Sequence, residues 1–159
     1  MRVSQIRNRV DALLSRGLRE LSMTLAVLAQ IENDNFEIVA VQSNSGAYVP
    51  GERYTLGDSF SRQVFTEQKI IAETSIDNSP EILRHPLYRS LPLECYLGAP
   101  VTLHGQPWGC LDFTSMAQRD EPFTAKDLRL IESLASEISE LLGSTENPAN
   151  SATANSSGP

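Results

Sequence analysis

Apolar residues along this chain switch between a spacing of three or four and a spacing of two, and each switch marks an element. Residues 3 to 21 carry Ile6, Val10, Leu13, Leu14, Leu18 and Leu21 at helical spacing, with Arg and Asp between them. Ser22–Ile31 and Phe36–Gln42 then read as two apolar strands joined by the polar turn Glu32-Asn33-Asp34-Asn35. Tyr48–Leu56 is broken by Pro50 and Gly51 and predicts only a short third strand. Asp58 or Ser59 is placed to cap a helix that runs to about Gln68, with Phe60, Val64 and Phe65 turned inward. Ile70–Glu73 reads as another short strand. Thr74–Leu93, rich in Ser, Pro and Asp, is the longest irregular stretch, and loops of that length tend to be functional.

Strict alternation returns after Cys95. Leu97, Ala99, Val101 and Leu103 alternate with Tyr96, Gly98, Pro100 and Thr102. His104-Gly105 supplies a turn, because Gly accepts positive φ freely and His does so more often than most residues. From Trp108 to Ser115, Leu111 and Phe113 share one face while Cys110, Asp112 and Thr114 share the other. Thr124 then precedes Ala125-Lys126-Asp127, a cap followed by an acid near the positive end of a helix. Leu128, Ile131, Leu134, Ala135, Ile138, Leu141 and Leu142 form its apolar side, and Gly143 is expected to stop it. The remaining residues contain no aromatic or large aliphatic side chain, so 144–159 are expected to be a disordered polar tail behind a single domain over 1–143.

The run Cys95–Phe123 resembles the core hairpin of GAF domains: a Tyr-Leu-Gly-x-Pro strand, a Gly turn, a Gly-x-Leu-x-Phe-x-Ser strand, then Phe-Thr and a helix. The resemblance covers about residues 18 to 142. It implies an α+β fold with a central antiparallel sheet of five or six strands and helices on both faces. The terminal helices would lie together on one face and form a dimer contact, and the long loop and inner helix would enclose a ligand cavity on the other.

Composition narrows the function classes. The 159 residues carry 40% hydrophobic side chains and a net charge of −7, which argues against binding a phosphate backbone. The five arginines before residue 20 are spread among apolar helix positions and read as a solvated face. No apolar run approaches the ~20 residues that span a bilayer, and MRVSQIRNRV lacks a signal-peptide core. Two cysteines make no disulfide framework, so a reducing cytoplasm is expected.

Candidate chemistry is sparse. Cys95 and Cys110 have no companion Cys or His at metal-ligand spacing. Some GAF domains reduce free methionine sulfoxide with cysteines in the loop before the hairpin, and phytochrome-like ones attach a bilin there. Asn78–Glu94 contains no Cys, so neither activity, and no bilin or haem cofactor, is expected. His85, in Leu83-Arg84-His85-Pro86-Leu87-Tyr88, is similar to a His-Pro-x-Tyr segment of sensory GAF domains. Pro86 biases it to an extended conformation, from which it either ties the loop to the sheet or meets a ligand. Asp77 matches a common GAF Asp at the end of the short strand and suits a turn. His104 is expected to be solvated in its turn.

Asp112 is the hardest residue to explain as structure. A carboxylate on a central strand is costly unless it is hydrogen-bonded or paired. It either accepts from backbone N–H groups of the 74–93 segment or meets a polar ligand.

Ser59, Phe60, Asp77, His85, Tyr88, Tyr96, Asp112 and Thr114 are therefore the candidate ligand-binding residues. Phe60, Phe65, Tyr88 and Tyr96 beside Ser59, Ser61 and Thr114 would make a mostly apolar pocket with a few polar anchors. No catalytic constellation and no metal site is read. Leu13, Ile131, Ile138 and Leu142 are assigned to a homodimer interface, because the terminal helices offer more apolar positions than one sheet face uses. The expectation is a stand-alone signalling or regulatory module that binds an unidentified small molecule and acts on its own dimer or on a partner protein in trans. The alternatives are a ligand-free dimerising adaptor and, below it, a small GAF-type reductase. No kinase, cyclase, phosphodiesterase or DNA-binding motif accompanies the domain.

Overall fold

The structure is a computed structural model that describes residues 3–43, 46, 48–74, 95–117 and 119–157, with side chains from Gln5 to Thr145. Helix α1 (Val3–Leu21) leads into the hairpin β1 (Leu25–Glu32) and β2 (Asn35–Ser43), followed by the short β3 (Arg53–Thr55). Helix α2 (Phe60–Glu67) and β4 (Ile71–Glu73) come next. The long hairpin β5 (Cys95–Leu103) and β6 (Gln106–Ser115) and helix α3 (Ala125–Ser157) complete the order. Among the described residues six strands form one antiparallel sheet in the order β3-β2-β1-β6-β5-β4. The α+β architecture expected from the sequence is the one observed.

Each turn has a backbone reason. His104 and Gly105 both take positive φ, 51° and 77°, the paired left-handed conformation that lets a two-residue turn follow the twist of its strands. Asn33, at φ 56°, begins the other tight turn, where Glu32 pairs with Asn35.

The alternation along β1, β5 and β6 sorts side chains to two cores. On one face Ala26, Leu28, Leu97, Val101, Leu111 and Phe113 meet Val10 and Leu14 of α1 and Ile131, Leu134 and Ile138 of α3. On the other, Val27, Ala29, Ile38, Tyr96 and Cys110 meet Leu56 and, on α2, Phe60 and Val64.

This packing places three of the four residues assigned to a dimer interface inside the chain's own core. Ile131 and Ile138 are fully buried in the chain's own core, and Leu142 nearly so. The surplus of apolar positions is consumed by α1 and α3 packing on each other as well as on the sheet. Leu13 is half-buried beside an open cleft of about 500 Å³ between the two helices, lined also by Arg9, Ala12, Glu137, Glu140 and Leu141.

The start of α3 follows the sequence reading. The Thr124 Oγ accepts from the Asp127 N–H at 3.1 Å, and the Asp127 carboxylate accepts from the Thr124 N–H at 2.9 Å, a reciprocal cap. Arg119 ties this end to α1: its guanidinium donates to the Leu21 carbonyl at 2.9 Å and to Asp127 at 3.4 Å, and lies 4.2 Å from the centre of the Phe123 ring. The end of α3 differs from expectation. The helix passes Gly143, which has no positive φ, and runs on to Ser157. One Gly inside a helix costs only about 1 kcal/mol relative to Ala, less than the buried anchors Leu141 and Leu142 supply just before it.

At the far side of the sheet, β5 outruns its neighbour. Among the described residues β4 pairs with Tyr96, Leu97 and Gly98 alone. Further along that edge stands Pro100, and the Thr102 N–H donates to the Ser139 hydroxyl of α3 at 3.2 Å.

Candidate functional site

The α2 face of β6 carries Cys110, Asp112 and Thr114 in succession, placed there by the period of two and kept from water by α2 and the sheet's neighbours. Asp112 is 1% exposed. Its carboxylate accepts from the Tyr96 hydroxyl at 2.6 Å, from the Ser61 hydroxyl at 2.7 Å and from the Cys110 thiol at 3.4 Å. Donors such as these favour the charged form of the carboxylate and offset part of the cost of burial.

Each donor is brought in by a local rule. Ser59 is the N-cap of α2, extended at φ −116° and accepting from the Arg62 N–H at 3.2 Å. That cap fixes the first turn, so that Phe60 stacks on the Tyr96 ring (5.1 Å between centres, 24° between planes) and Ser61 reaches Asp112. Tyr96 comes from β5, where its cross-strand partner is Thr114 and Gly98 is the partner of Asp112. The phenol lies over Gly98: a Cβ there would overlap the Tyr96 ring and hydroxyl. Gly98 is thus the absence of a side chain that the hydrogen bond requires.

The electrostatics argue against a thiol nucleophile. Burial first, and then the Asp112 charge and hydrogen bond, push the Cys110 thiol well above its ordinary value, against a smaller opposing effect of Ser61. It keeps its proton at neutral pH and is inert as a thiolate donor. Cys95 sits on the opposite face of the sheet, its sulfur 3.7 Å from Met23 Sδ and 3.5 Å from the Ala117 carbonyl. Neither cysteine forms a disulfide.

Thr114 completes the row. It is 1% exposed, flanked by Leu25 of β1 and Tyr96 of β5. Its carbonyl accepts from the Thr24 N–H at 3.0 Å, yet its hydroxyl has no hydrogen-bond partner among the described residues. Buried hydroxyls are normally satisfied, so this one calls for an explanation.

Residues 5–142 match the family model for the GAF domain. The chain belongs to the GAF domain family. Among solved structures this GAF domain is similar to the blue-light absorbing form of the PixJ GAF domain of Thermosynechococcus elongatus (TM-score 0.81, 16% identity, 99% of this chain and 96% of that one). It is similar also to a type II free methionine-R-sulfoxide reductase from Thermoplasma acidophilum (TM-score 0.71, 17% identity, 91% and 97%). A third is the GAF domain of a two-component sensor histidine kinase from Bacillus halodurans (TM-score 0.67, 15% identity, 87% and 97%). At these identities the likeness shows the fold. No curated protein matches the chain.

Of the residues proposed from sequence, the structure gathers Phe60, Tyr96, Asp112 and Thr114 on one face of this GAF domain. Ser59 is nearby and buried, but its hydroxyl is spent on the helix cap. Asp77, His85 and Tyr88 lie outside the described residues. His104 is exposed at its turn. Sequence reasoning placed Ser61 among the polar anchors of the pocket and Cys110 on the face of Asp112, but it did not pair either with the Asp112 carboxylate. Among the described residues no three His, Cys, Asp or Glu side chains converge as metal ligands would, and no helix is long and apolar enough to cross a membrane.

Proposed function

We propose that this GAF domain is a regulatory module that binds a small molecule on the α2 face of its sheet and acts through its own dimer or on a partner protein. The observation that carries the reading is the row on β6: a buried carboxylate that accepts from Ser61, Tyr96 and Cys110, next to the Thr114 hydroxyl, which has no partner among the described residues. A stability-driven sequence would place apolar residues on a central strand. The sensor GAF domains among the similar structures support a signalling role at the level of the fold.

A ligand-free adaptor is the second reading, favoured by the Phe60–Tyr96 stack, which fills space between α2 and the sheet. A reductase role is raised by the similar reductase structures. The protonated, buried Cys110 and the absence of Cys from Asn78–Glu94 speak against it. Thermal-shift screening of cyclic nucleotides, amino acids, nucleobases and amines separates the first two. A ligand at a hundredfold excess over its Kd adds about 2.7 kcal/mol of stability. At least one stabiliser is expected, with a response that weakens in Asp112→Ala. Silence across the panel, with no small molecule in native mass spectra of protein purified from its host, favours the adaptor.

A further inference from the structure

The cleft between α1 and α3 is built from two matching stripes. On α1, Arg9, Ala12 and Leu13 follow the spacing i, i+3, i+4 that lines one side of a helix. On α3, Glu137, Glu140 and Leu141 follow the same spacing. Each stripe ends on a leucine, and its charge is positive on α1 and negative on α3. The leucines lie deep, Leu141 buried and Leu13 half-buried, with Ala12 exposed between the walls. The charges stand in solvent. Arg16, two turns beyond Arg9, is held by Glu20 at 2.7 Å. Among the described residues no ion pair engages Arg9, Glu137 or Glu140.

A surface that is positive along one wall and negative along the other can meet itself favourably in one orientation. A twofold axis running along the cleft lays α1 of each copy on α3 of the other, so the arginine of one meets the carboxylates of the other, twice over. An axis across the cleft lays α1 on α1 and α3 on α3, arginine against arginine and carboxylate against carboxylate. The first is attractive and the second repulsive. The difference matters in a chain of net charge −7, whose copies otherwise repel. Five of its 13 lysines and arginines fall within the first 19 residues, so α1 is the segment to which an acidic helix of another copy is drawn.

We propose that a second copy of this chain docks on the cleft with the twofold axis along it, Leu13 and Leu141 forming the apolar centre and Arg9 facing the carboxylates of Glu137 and Glu140 across the interface. The proposal rests on the dimer named in the functional reading and deepens it by giving the dimer's contact face and direction. The leucines supply attraction and the charges supply direction, because exposed ion pairs add little affinity but discriminate against like-charge contacts. Since α1 and α3 cover the sheet face opposite α2, the α2 face of each copy stays on the outside of the dimer.

The test is sedimentation velocity on the full chain from about 1 to 100 μM, a range in which weak dimers dissociate. A dimer is expected. Arg9→Glu should weaken it about ten-fold at low salt, and the loss should shrink as salt is raised. Combining Arg9→Glu with Glu137→Arg and Glu140→Arg should restore the dimer, because every pairing is then reversed. Ala12→Glu, at an exposed position and with a good helix former, should block the close approach of the helices while the circular dichroism of the folded chain stays unchanged. A dimer indifferent to Arg9→Glu and Ala12→Glu, or one that the triple reversal fails to restore, overturns the proposal and leaves the dimer reading in place on another face. A wild-type chain that is monomeric throughout overturns the proposal together with the dimer part of that reading, and leaves the cleft to a different protein. The ligand part stands or falls separately, by the thermal-shift panel.

Discussion

The phenol of Tyr96 reaches the carboxylate of Asp112, 2.6 Å away, by lying across Gly98, the residue opposite Asp112 on the adjacent strand. A short-range sequence feature and a long-range contact are therefore one device. Gly98→Ala should displace the phenol and lower stability by about 1–3 kcal/mol, the usual cost of overpacking. Tyr96→Phe should cost about 1–3 kcal/mol by leaving a buried acceptor short of a donor. The two should be less than additive in urea unfolding, since the hydroxyl is the atom nearest the new methyl group. Strict additivity would mean that the overlap is relieved elsewhere.

Cys110 predicts a pH dependence. Its thiol holds its proton in the folded chain well beyond the ordinary value of 9.0, whereas the unfolded thiol ionises near that value. Above pH 9 the unfolded state therefore binds fewer protons, and stability falls by up to ~1.4 kcal/mol per pH unit from this group; below pH 9 its contribution is complete. Tyr54, pushed up to about 12 by burial and by its bond to Glu52, acts in the same sense above pH 10. The stability gap between wild type and Cys110→Ala, from urea titrations at pH 7 and pH 10, should shrink at the higher pH.

Arg119 should act on two helices at once. Arg119→Ala removes the donor to the Leu21 carbonyl, the pairing with Asp127 and the stack on Phe123. A loss of about 1–3 kcal/mol is expected, with hydrogen exchange speeding up at the end of α1 and the first turn of α3 together. Arg119→Lys should rescue little, because an ammonium lacks the planar fork that serves two acceptors.

Gly143 distinguishes a helix stop from a helix interior. In the structure it is interior, and an added Cβ would come only within ordinary contact, 3.9 Å, of the His104 ring. Gly143→Ala should therefore stabilise the chain by up to ~1 kcal/mol. A drop in Tm would restore the cap expected from sequence.

How much of this was legible in the sequence depends on the range of the interaction. Turn chemistry is local, so His104-Gly105, the Ser59 cap and the Thr124–Asp127 cap could all be read from neighbours in the chain. The period of two placed Asp112 and Thr114 on the same side without any structure. The bond from Ser61 to Asp112 could not be found that way, because it joins residues 51 positions apart and depends on how α2 docks. The helical seam left its partner open for a related reason. Ile131 and Ile138 announce that they want an apolar partner, but periodicity does not say whether that partner belongs to the same chain.

The unequal lengths of β4 and β5 have a consequence for how copies of this protein can meet. A strand that extends past its neighbour presents backbone groups to which a strand from another molecule can add. Past Gly98 this one is a poor template: Pro100 has no N–H to give, and two residues on, the Thr102 N–H is already engaged by Ser139 of the chain's own helix. An incoming strand would find the hydrogen-bonding ladder interrupted at successive outward positions. The border that looks most exposed in the strand order is thus sealed against runaway polymerisation by one imino acid and one serine.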